Sequence, residues 1–194
     1  MKKHKKIYIF IVFLVIMVVI FIGSKISNIN KAKKVINKTL TDLKEINIEE
    51  VNKHMSYSEL LNVLDENLLD AEKMQQNGLD KLFFENLDWT IEDIKMDDNN
   101  ITATMNITNK DFKIIITNWI KEIVNEKESG NNLTEEVCLE KLKECASDSN
   151  LSTKTVTKMI TLEKDNDWRI IVNDELVNAI FPGIESVNSV IEGM

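Results

Sequence analysis

Cys138 and Cys145 are the side chains of this sequence best suited to redox or metal chemistry. They lie seven residues apart in a segment whose apolar pattern predicts a helix, so their Cα atoms would be about 10 Å apart. A disulfide requires Cα atoms within about 7 Å, and neither a CxxC motif nor a nearby histidine completes a metal site. Together with Leu142 the cysteines form one helical stripe, which is typical of buried thiols. We therefore predict two core cysteines, and a disulfide only if this segment is not helical.

His54 is the histidine on which nucleophilic catalysis in the domain would depend, because the other histidine, His4, lies in a basic leader. A Ser/His/Asp or Cys/His site also needs a positioned nucleophile, and the sequence contains neither a GxSxG nor an SxxK motif. A histidine-based zinc site is equally short of ligands. We therefore interpret His54 as a solvated or helix-end side chain and predict no catalytic residue.

Acidic side chains gather in two places and are candidate calcium ligands. The first cluster contains Asp65, Glu66, Asp70 and Glu72, and the second contains Asp165, Asp167, Asp174 and Glu175. An EF-hand loop beginning at Asp165 would need glycine where Ile170 stands and glutamate where Leu176 stands. We therefore interpret the clusters as a solvated helix face, a turn and a helix start. Since a glycine-rich phosphate loop is also absent from the sequence, we predict neither a metal nor a cofactor.

The three tryptophans, Trp89, Trp119 and Trp168, are the large aromatic side chains that could anchor a ligand. Each of them falls on the apolar phase of its predicted strand or helix, and this placement favours the core. The lining of a binding pocket is the alternative.

The composition places the chain among globular proteins, with 43% hydrophobic residues, 29% charged residues, 1 proline and 5 glycines. These values exclude disordered, collagenous and proline-rich classes. The net charge is −8 even though four lysines, at positions 2, 3, 5 and 6, precede the domain, so the domain itself is more acidic still. Because nucleic-acid binding depends on neutralising phosphates, this acidity indicates no nucleic-acid partner.

An uncharged apolar run, IYIFIVFLVIMVVIFI, follows the basic leader at residues 1–6. A membrane-spanning helix needs roughly 17–25 apolar residues, and we assign residues 7–23 to one transmembrane anchor at the short end of that range. A cleaved signal peptide is the alternative, but the following GSKISN offers no A-x-A cleavage site.

The orientation of the anchor is not decided by counting basic residues, since lysines flank the run on both sides. A very short basic leader before a long domain favours a cytoplasmic leader and an extracytoplasmic domain at 24–194. We therefore predict a single-pass protein of the cell membrane. The lysines from Lys25 to Lys38 are candidates for contact with anionic lipid headgroups or wall polymers, and an ordinary solvated stalk is the alternative.

Hydrophobic periodicity predicts helices that enclose two β-hairpins, which together form one α+β domain. Helices are expected at 26–46, at 48–55, from Ser56 with an interruption at Gly78, from Phe112 to Gly130, after Thr134 and after Asn173. A change to period two predicts the first hairpin at 87–107, with a bulge near Glu92 and Asp93, and the second at 155–172. We expect the helices to pack on a curved antiparallel sheet made of these hairpins.

Residues 159–183, MITLEKDNDWRIIVNDELVNAIFPG, contain a strand, a tight acidic turn, a tryptophan that opens the last strand, and a short capped helix. This segment resembles the close of the nuclear transport factor two-like (cystatin-like α+β) superfamily, in particular its membrane-tethered extracellular members from Gram-positive bacteria. The resemblance implies a curved sheet that wraps a long helix into a cone. Isomerases of that superfamily need a carboxylate opposite a tyrosine. The sequence alone places no aspartate opposite Tyr57, so no catalytic residue carries over.

The expected function is a membrane-anchored extracytoplasmic module that binds an envelope protein partner or a small ligand in a conical apolar pocket. Two alternatives stay open. An enzyme of isomerase or dehydratase type would place a carboxylate inside the cone. A structural subunit of a cell-envelope or secretion assembly would expose an apolar patch of several hundred Å².

Overall fold

The computed structural model of the chain describes residues 2–62, 71–97 and 100–186, and within them the side chains of 16–62, 73–97 and 100–185. The elements in chain order are α1 (Lys2–Lys44), α2 (Ile48–His54), α3 (Tyr57–Asn62), α4 (Ala71–Asn77), α5 (Leu79–Phe84), β1 (Asp88–Asp97), β2 (Asn100–Lys110), α6 (Phe112–Glu128), α7 (Glu135–Ala146), β3 (Thr153–Lys164), β4 (Trp168–Ile170) and α8 (Asp174–Ile180), followed by a 3-10 turn (Ile184–Ser186). The α+β class is therefore confirmed. The first acidic cluster lies outside the described side chains.

The four strands form one antiparallel sheet in the order β1-β2-β3-β4, so both predicted hairpins belong to the same sheet. The pairing of β1 with β2 shifts between Ile91 and Asp93, which confirms the predicted bulge. The last strand is shorter than the sequence pattern indicates, because ladder pairing ends at Ile170 and the chain turns toward the cap of α8.

The core lies on one face of this sheet. Alternate residues of β2, namely Ile101, Ala103, Met105 and Ile107, are fully buried, because successive side chains of a strand point to opposite faces. They belong to the same hydrophobic core as a helical stripe of α1 made of Ala32, Val35, Ile36, Leu40 and Leu43. The opposite face of β2 carries threonine and asparagine side chains that remain partly exposed.

The end of β2 is a polar junction that ties three helices together. The Asn109 side-chain amide donates to the carbonyl oxygens of Phe83, at 2.9 Å, and Ile180, at 2.8 Å. The Lys110 ammonium group donates to Glu85 and to the carbonyl oxygen of Ala146, both at 2.6 Å. The C-terminal ends of α5, α7 and α8 are therefore held at one point, where their unpaired carbonyl groups find donors.

Helix α1 is longer than the sequence pattern predicts. The amphipathic helix expected to begin at Ile26 continues without a break from Lys2 to Lys44. Gly23 does not interrupt it, since one glycine costs a helix only about 1 kcal/mol. At 1.5 Å per residue, a helix of 43 residues is about 65 Å long. The apolar run and the core stripe are therefore parts of one helix.

Within the part of the chain that the structure describes, no helix is long and apolar enough to cross a membrane. The predicted anchor covers residues 7–23, and the side chains of residues 7–15 lie outside the described part. The anchor therefore stays a prediction.

A single hydroxyl inside α1 gives a test of the core packing. Thr39 is fully buried, and its Oγ1 has no hydrogen-bond partner. A buried hydroxyl without a partner costs about 1–3 kcal/mol, so Thr39→Val is expected to raise the free energy of unfolding by about 1 kcal/mol. Thermal unfolding of the full chain in a mild detergent should show a midpoint about 2–4 °C higher.

The control for this substitution is Thr41→Val. Thr41 is exposed, and its hydroxyl donates to the Asn37 carbonyl oxygen at 2.8 Å. The control should change the midpoint little or lower it. A lower midpoint for Thr39→Val would mean that its hydroxyl has a partner after all.

Candidate functional site

The three tryptophans lie in different parts of the domain. Trp168 is 1% exposed in the core, and its Nε1 has no hydrogen-bond partner. The Trp119 Nε1 donates to the Cys138 carbonyl oxygen at 2.8 Å and joins α6 to α7. The Trp89 Nε1 donates to Asn37 Oδ1 at 2.9 Å and joins β1 to α1. The structure does not bring the three rings together.

The two cysteines are free thiols, and both are half-buried rather than part of the fully buried core. Leu142 takes the buried position between them, because α7 packs against α6 and α5 and leaves its other side in solvent. Burial and the negative charges of Glu122 and Glu144 raise the pKa of the Cys145 thiol. This thiol is therefore protonated at neutral pH and a poor nucleophile.

His54 is the last residue of α2, and its Nδ1 lies 3.1 Å from the Trp168 carbonyl oxygen. The side chain therefore links α2 to β4. Among the described residues, no group of three His, Cys, Asp or Glu side chains lies close enough to hold a metal ion.

A buried tyrosine–aspartate pair was missed by the sequence reasoning. Tyr57 Oη donates to Asp80 Oδ2 at 3.3 Å, and the two residues are 4% and 3% exposed. Burial, and then the charge and hydrogen bond of Asp80, raise the pKa of the Tyr57 phenol above its usual range. The phenol therefore keeps its proton. The Tyr57 ring packs edge-on against Phe84, so the pair also joins α3 to α5.

The inner face of the sheet is filled by side chains. Ile160 and Leu162 of β3 are buried together with the inward residues of β2. Four cavities lined by described residues lie on the surface instead, and Tyr57, Asp80 and the three tryptophans line none of these four. These are a groove of about 780 Å³ between α4 and α7, and cavities of about 340 Å³ between α6 and α7, 270 Å³ beside β4, and 230 Å³ between α1 and β1.

The groove between α4 and α7 is polar. Glu136, Glu140 and Glu144 follow one another on successive turns of α7 and line one wall. Lys73 of α4 forms an ion pair with Glu135 across the groove. Because its lining is charged and open to solvent, this groove suits a polar segment of a partner better than an apolar small molecule.

An apolar stretch of α1 is exposed on all sides. Each residue from Ile16 to Ile22 is between 50% and 71% exposed. Seven consecutive residues of a helix cover almost two turns, so no direction around the axis is polar. The other exposed large apolar residues of the described part are Ile26, Ile114, Val124 and Met159, which are spread over three elements.

The lysines of α1 divide into two groups. Among the α1 lysines whose side chains the structure describes, Lys25, Lys31, Lys33, Lys34 and Lys44 are exposed and make no ion pair with a described residue. Lys38, closer to the domain, binds Asp42 at 2.8 Å and Glu50 at 2.6 Å. The hydrogen bonds from Lys38 and then Lys53 lower the pKa of the Glu50 carboxyl to about 2. Lys25, Lys31, Lys33 and Lys34 are therefore four lysines without an ion pair on the segment of α1 that follows the apolar stretch.

No protein-family model matches the chain, and no curated protein matches it. One solved structure is similar, that of a candidate lipoprotein from Bacillus subtilis, with 15% sequence identity and a TM-score of 0.45. The similarity covers 68% of this chain and 46% of that chain, so the chain spans less than half the length of that protein. Membership of the nuclear transport factor two-like superfamily therefore stays a prediction.

Proposed function

We propose that the protein is a membrane-anchored interaction module, with residues 7–23 in the bilayer and its domain on the extracytoplasmic side, and that it is not an enzyme. The observation that supports this most is the stretch Ile16–Ile22, exposed on every side of one helix. Removing an apolar side chain from water contributes about 1.5–3 kcal/mol, so seven of them amount to roughly 10–20 kcal/mol. This is a large driving force for leaving water.

The distribution of apolar side chains around the helix favours contact with lipid over docking in a protein groove. An amphipathic helix that docks in a groove buries one face and keeps the other polar. Lipid surrounds a helix from all directions and leaves no face for polar residues. The apolar circumference of Ile16–Ile22 fits the second situation. The basic leader and the long domain after the segment support an extracytoplasmic domain.

The interaction surface of the domain is polar. Outside α1, the exposed large apolar residues of the described part are Ile114, Val124 and Met159, which stand apart. Obligate interfaces are more hydrophobic than transient ones, so a surface without a large apolar patch suits a transient partner better than an obligate one. The groove between α4 and α7, with a volume of about 780 Å³, is the largest of the four cavities described above and offers a concave surface for such contacts. An enzymatic role is disfavoured because the Tyr57–Asp80 pair is buried and lines none of the four cavities described above.

Membrane fractions from cells that produce the full chain test this proposal. The protein should stay in the membrane pellet after an alkaline wash. The double variant Met17→Asp/Val18→Asp should be released, because each charge near the centre of a spanning helix costs about 2.5–3.5 kcal/mol. Met159→Asp, at the exposed apolar position of β3, is the matched control and should stay in the pellet. Release of the unaltered protein, or equal retention of the double variant, would overturn the proposal.

A further inference from the structure

We infer that the cavity between α1 and the end of β1 is a binding site for a phospholipid headgroup that carries a primary ammonium group beside its phosphate. The inference rests on the membrane anchoring proposed above. The cavity has a volume of about 230 Å³, and it is lined by Phe21, Ser24, Lys25, Asn28, Met96 and Asp97.

The cavity lies where the apolar stretch of α1 ends. Ser24 and Asn28 follow Ile22 by two and six residues of unbroken helix, which is about 3 and 9 Å along the axis. The polar headgroup layer on each side of a bilayer is about 5–8 Å thick, as the difference between its total and hydrocarbon thickness requires. With Ile22 at the edge of the hydrocarbon, the cavity therefore opens at the depth of the headgroups.

The cavity lining combines apolar side chains with hydrogen-bond donors, as a phospholipid headgroup and the start of its acyl chains require. The four α1 residues of the lining are spaced by three and four positions, so they share one face of the helix. Phe21 and Met96 supply apolar contact. Lys25, with Ser24 and Asn28 beside it, supplies donors for a phosphate, because ammonium, hydroxyl and amide groups all donate hydrogen bonds.

The polar side chains of this lining have no other partners. Within the described part of the chain, Ser24, Lys25, Asn28 and Asp97 make no side-chain hydrogen bond or ion pair. By contrast, the nearby Asp93 and Lys95 of β1 bind each other at 2.6 Å. The donors and the carboxylate around the cavity are therefore free to bind a ligand.

The opposite charges of Lys25 and Asp97 select a zwitterion. Both residues border the cavity without forming an ion pair with each other. A purely anionic headgroup would face the Asp97 carboxylate, and a cation alone would face the Lys25 ammonium group. A phosphoethanolamine headgroup offers phosphate to Lys25 and ammonium hydrogens to Asp97. A choline headgroup carries the same charges but has no N–H group, so it is attracted by Asp97 without donating a charge-assisted hydrogen bond to it.

Native mass spectrometry of the full chain in detergent, with added lipid, tests the site. The probes are phosphatidylethanolamine, phosphatidylglycerol and phosphatidylcholine with the same acyl chains. We expect about two- to fivefold greater retention of phosphatidylethanolamine than of the other two, the range that one charge-assisted hydrogen bond at a partly exposed site provides. Lys25→Gln should lower the retention of all three lipids, and Asp97→Asn should remove the preference.

Lys34→Gln and Asp88→Asn are the matched controls, because these residues are exposed on the same two elements away from the cavity. Both should behave like the unaltered protein. Equal retention of the three lipids, or no difference between Lys25→Gln and Lys34→Gln, would overturn the site. Displacement of the lipid by soluble glycerophosphoethanolamine at the same concentration would also overturn it, because a soluble phosphate would then be the ligand.

The alkaline wash separates this inference from the proposed function. Lys25→Gln and Asp97→Asn should remain in the membrane pellet, since they leave the apolar stretch intact. Retention in the pellet without lipid selectivity would reject the headgroup site alone. Release of the unaltered protein from the membrane would reject the anchor and the headgroup site together.

Discussion

Replacing Asn109 by leucine is expected to lower the free energy of unfolding by about 3–5 kcal/mol. The Asn109 amide donates to the carbonyl oxygens of Phe83 and Ile180, and its Oδ1 accepts from the backbone N–H of Lys110 at 2.9 Å. The substitution leaves two carbonyl groups and one N–H group without these partners in a fully buried place. Each buried group that loses its partner costs about 1–3 kcal/mol, so the three together cost at least about 3 kcal/mol. Single substitutions rarely exceed a loss of about 5 kcal/mol, which sets the upper end of the expected range.

Thermal unfolding of the full chain in a mild detergent, followed by near-ultraviolet circular dichroism, measures this effect. The midpoint should fall by about 6–20 °C for a chain of this size. Asn131→Leu is the control, because Asn131 is exposed and its amide contacts only the Glu126 carboxylate. That substitution should shift the midpoint by no more than a few degrees. Similar midpoints for the two variants would mean that the junction at the end of β2 contributes little stability.

Replacing Gly183 by alanine is expected to cost about 2–4 kcal/mol. Gly183 has a φ of +95°, and an added Cβ would lie 2.9 Å from Asp111 Oδ1 and 3.2 Å from the Lys113 backbone nitrogen. Asp111 Oδ1 accepts from that nitrogen at 3.1 Å and caps α6. The substitution therefore adds backbone strain of about 1–3 kcal/mol and disturbs a cap worth about 1 kcal/mol.

Gly130→Ala separates these two contributions. Gly130 has a φ of +79°, but an added Cβ there would meet nothing within 4 Å. This variant should show the backbone strain alone, and the difference between the two variants should report the disturbed cap. Equal losses of stability in thermal unfolding would contradict the role assigned to the contact between Gly183 and Asp111.

Local signals in the sequence were sufficient to predict most elements. Helices were expected after Thr134 and after Asn173, and each of these side chains accepts a hydrogen bond from a backbone N–H of the first turn of its helix. The bulge in β1 was readable because the apolar phase shifts by one position near Glu92. Caps, turns and periodicity depend on residues a few positions apart, so the sequence carries them directly.

The contacts between distant segments could not be predicted in this way. Asn109 donates a hydrogen bond to the carbonyl oxygen of Ile180, which is 71 residues away, and Tyr57 donates one to Asp80 on a different helix. These pairs form only after α5 and α8 pack onto the sheet. The sequence pattern also overestimated the burial of Cys138 and Cys145. An apolar helical stripe shows which side of a helix faces the core, but not how much of that side the neighbouring helices cover.

The candidate headgroup site could be predicted from the sequence only in part. The spacing of Phe21, Ser24, Lys25 and Asn28 on one helix face is visible in the sequence, next to an apolar run. The contribution of Met96 and Asp97 is not, because it depends on the position of the first hairpin against α1. Only the packed domain places Asp97 at the same cavity as Lys25.

Labelling of intact cells with a membrane-impermeant, amine-reactive reagent tests the extracytoplasmic, membrane-anchored arrangement most directly. Lys127, Lys143 and Lys164 are exposed on the domain and should be modified, whereas Lys110 is 3% exposed and should stay unmodified as an internal control. Mass spectrometry would locate the modified residues. Modification of the exposed lysines is the predicted result. Absence of modification on all of them, in cells whose known surface proteins react, would place the domain in the cytoplasm and contradict the proposed topology.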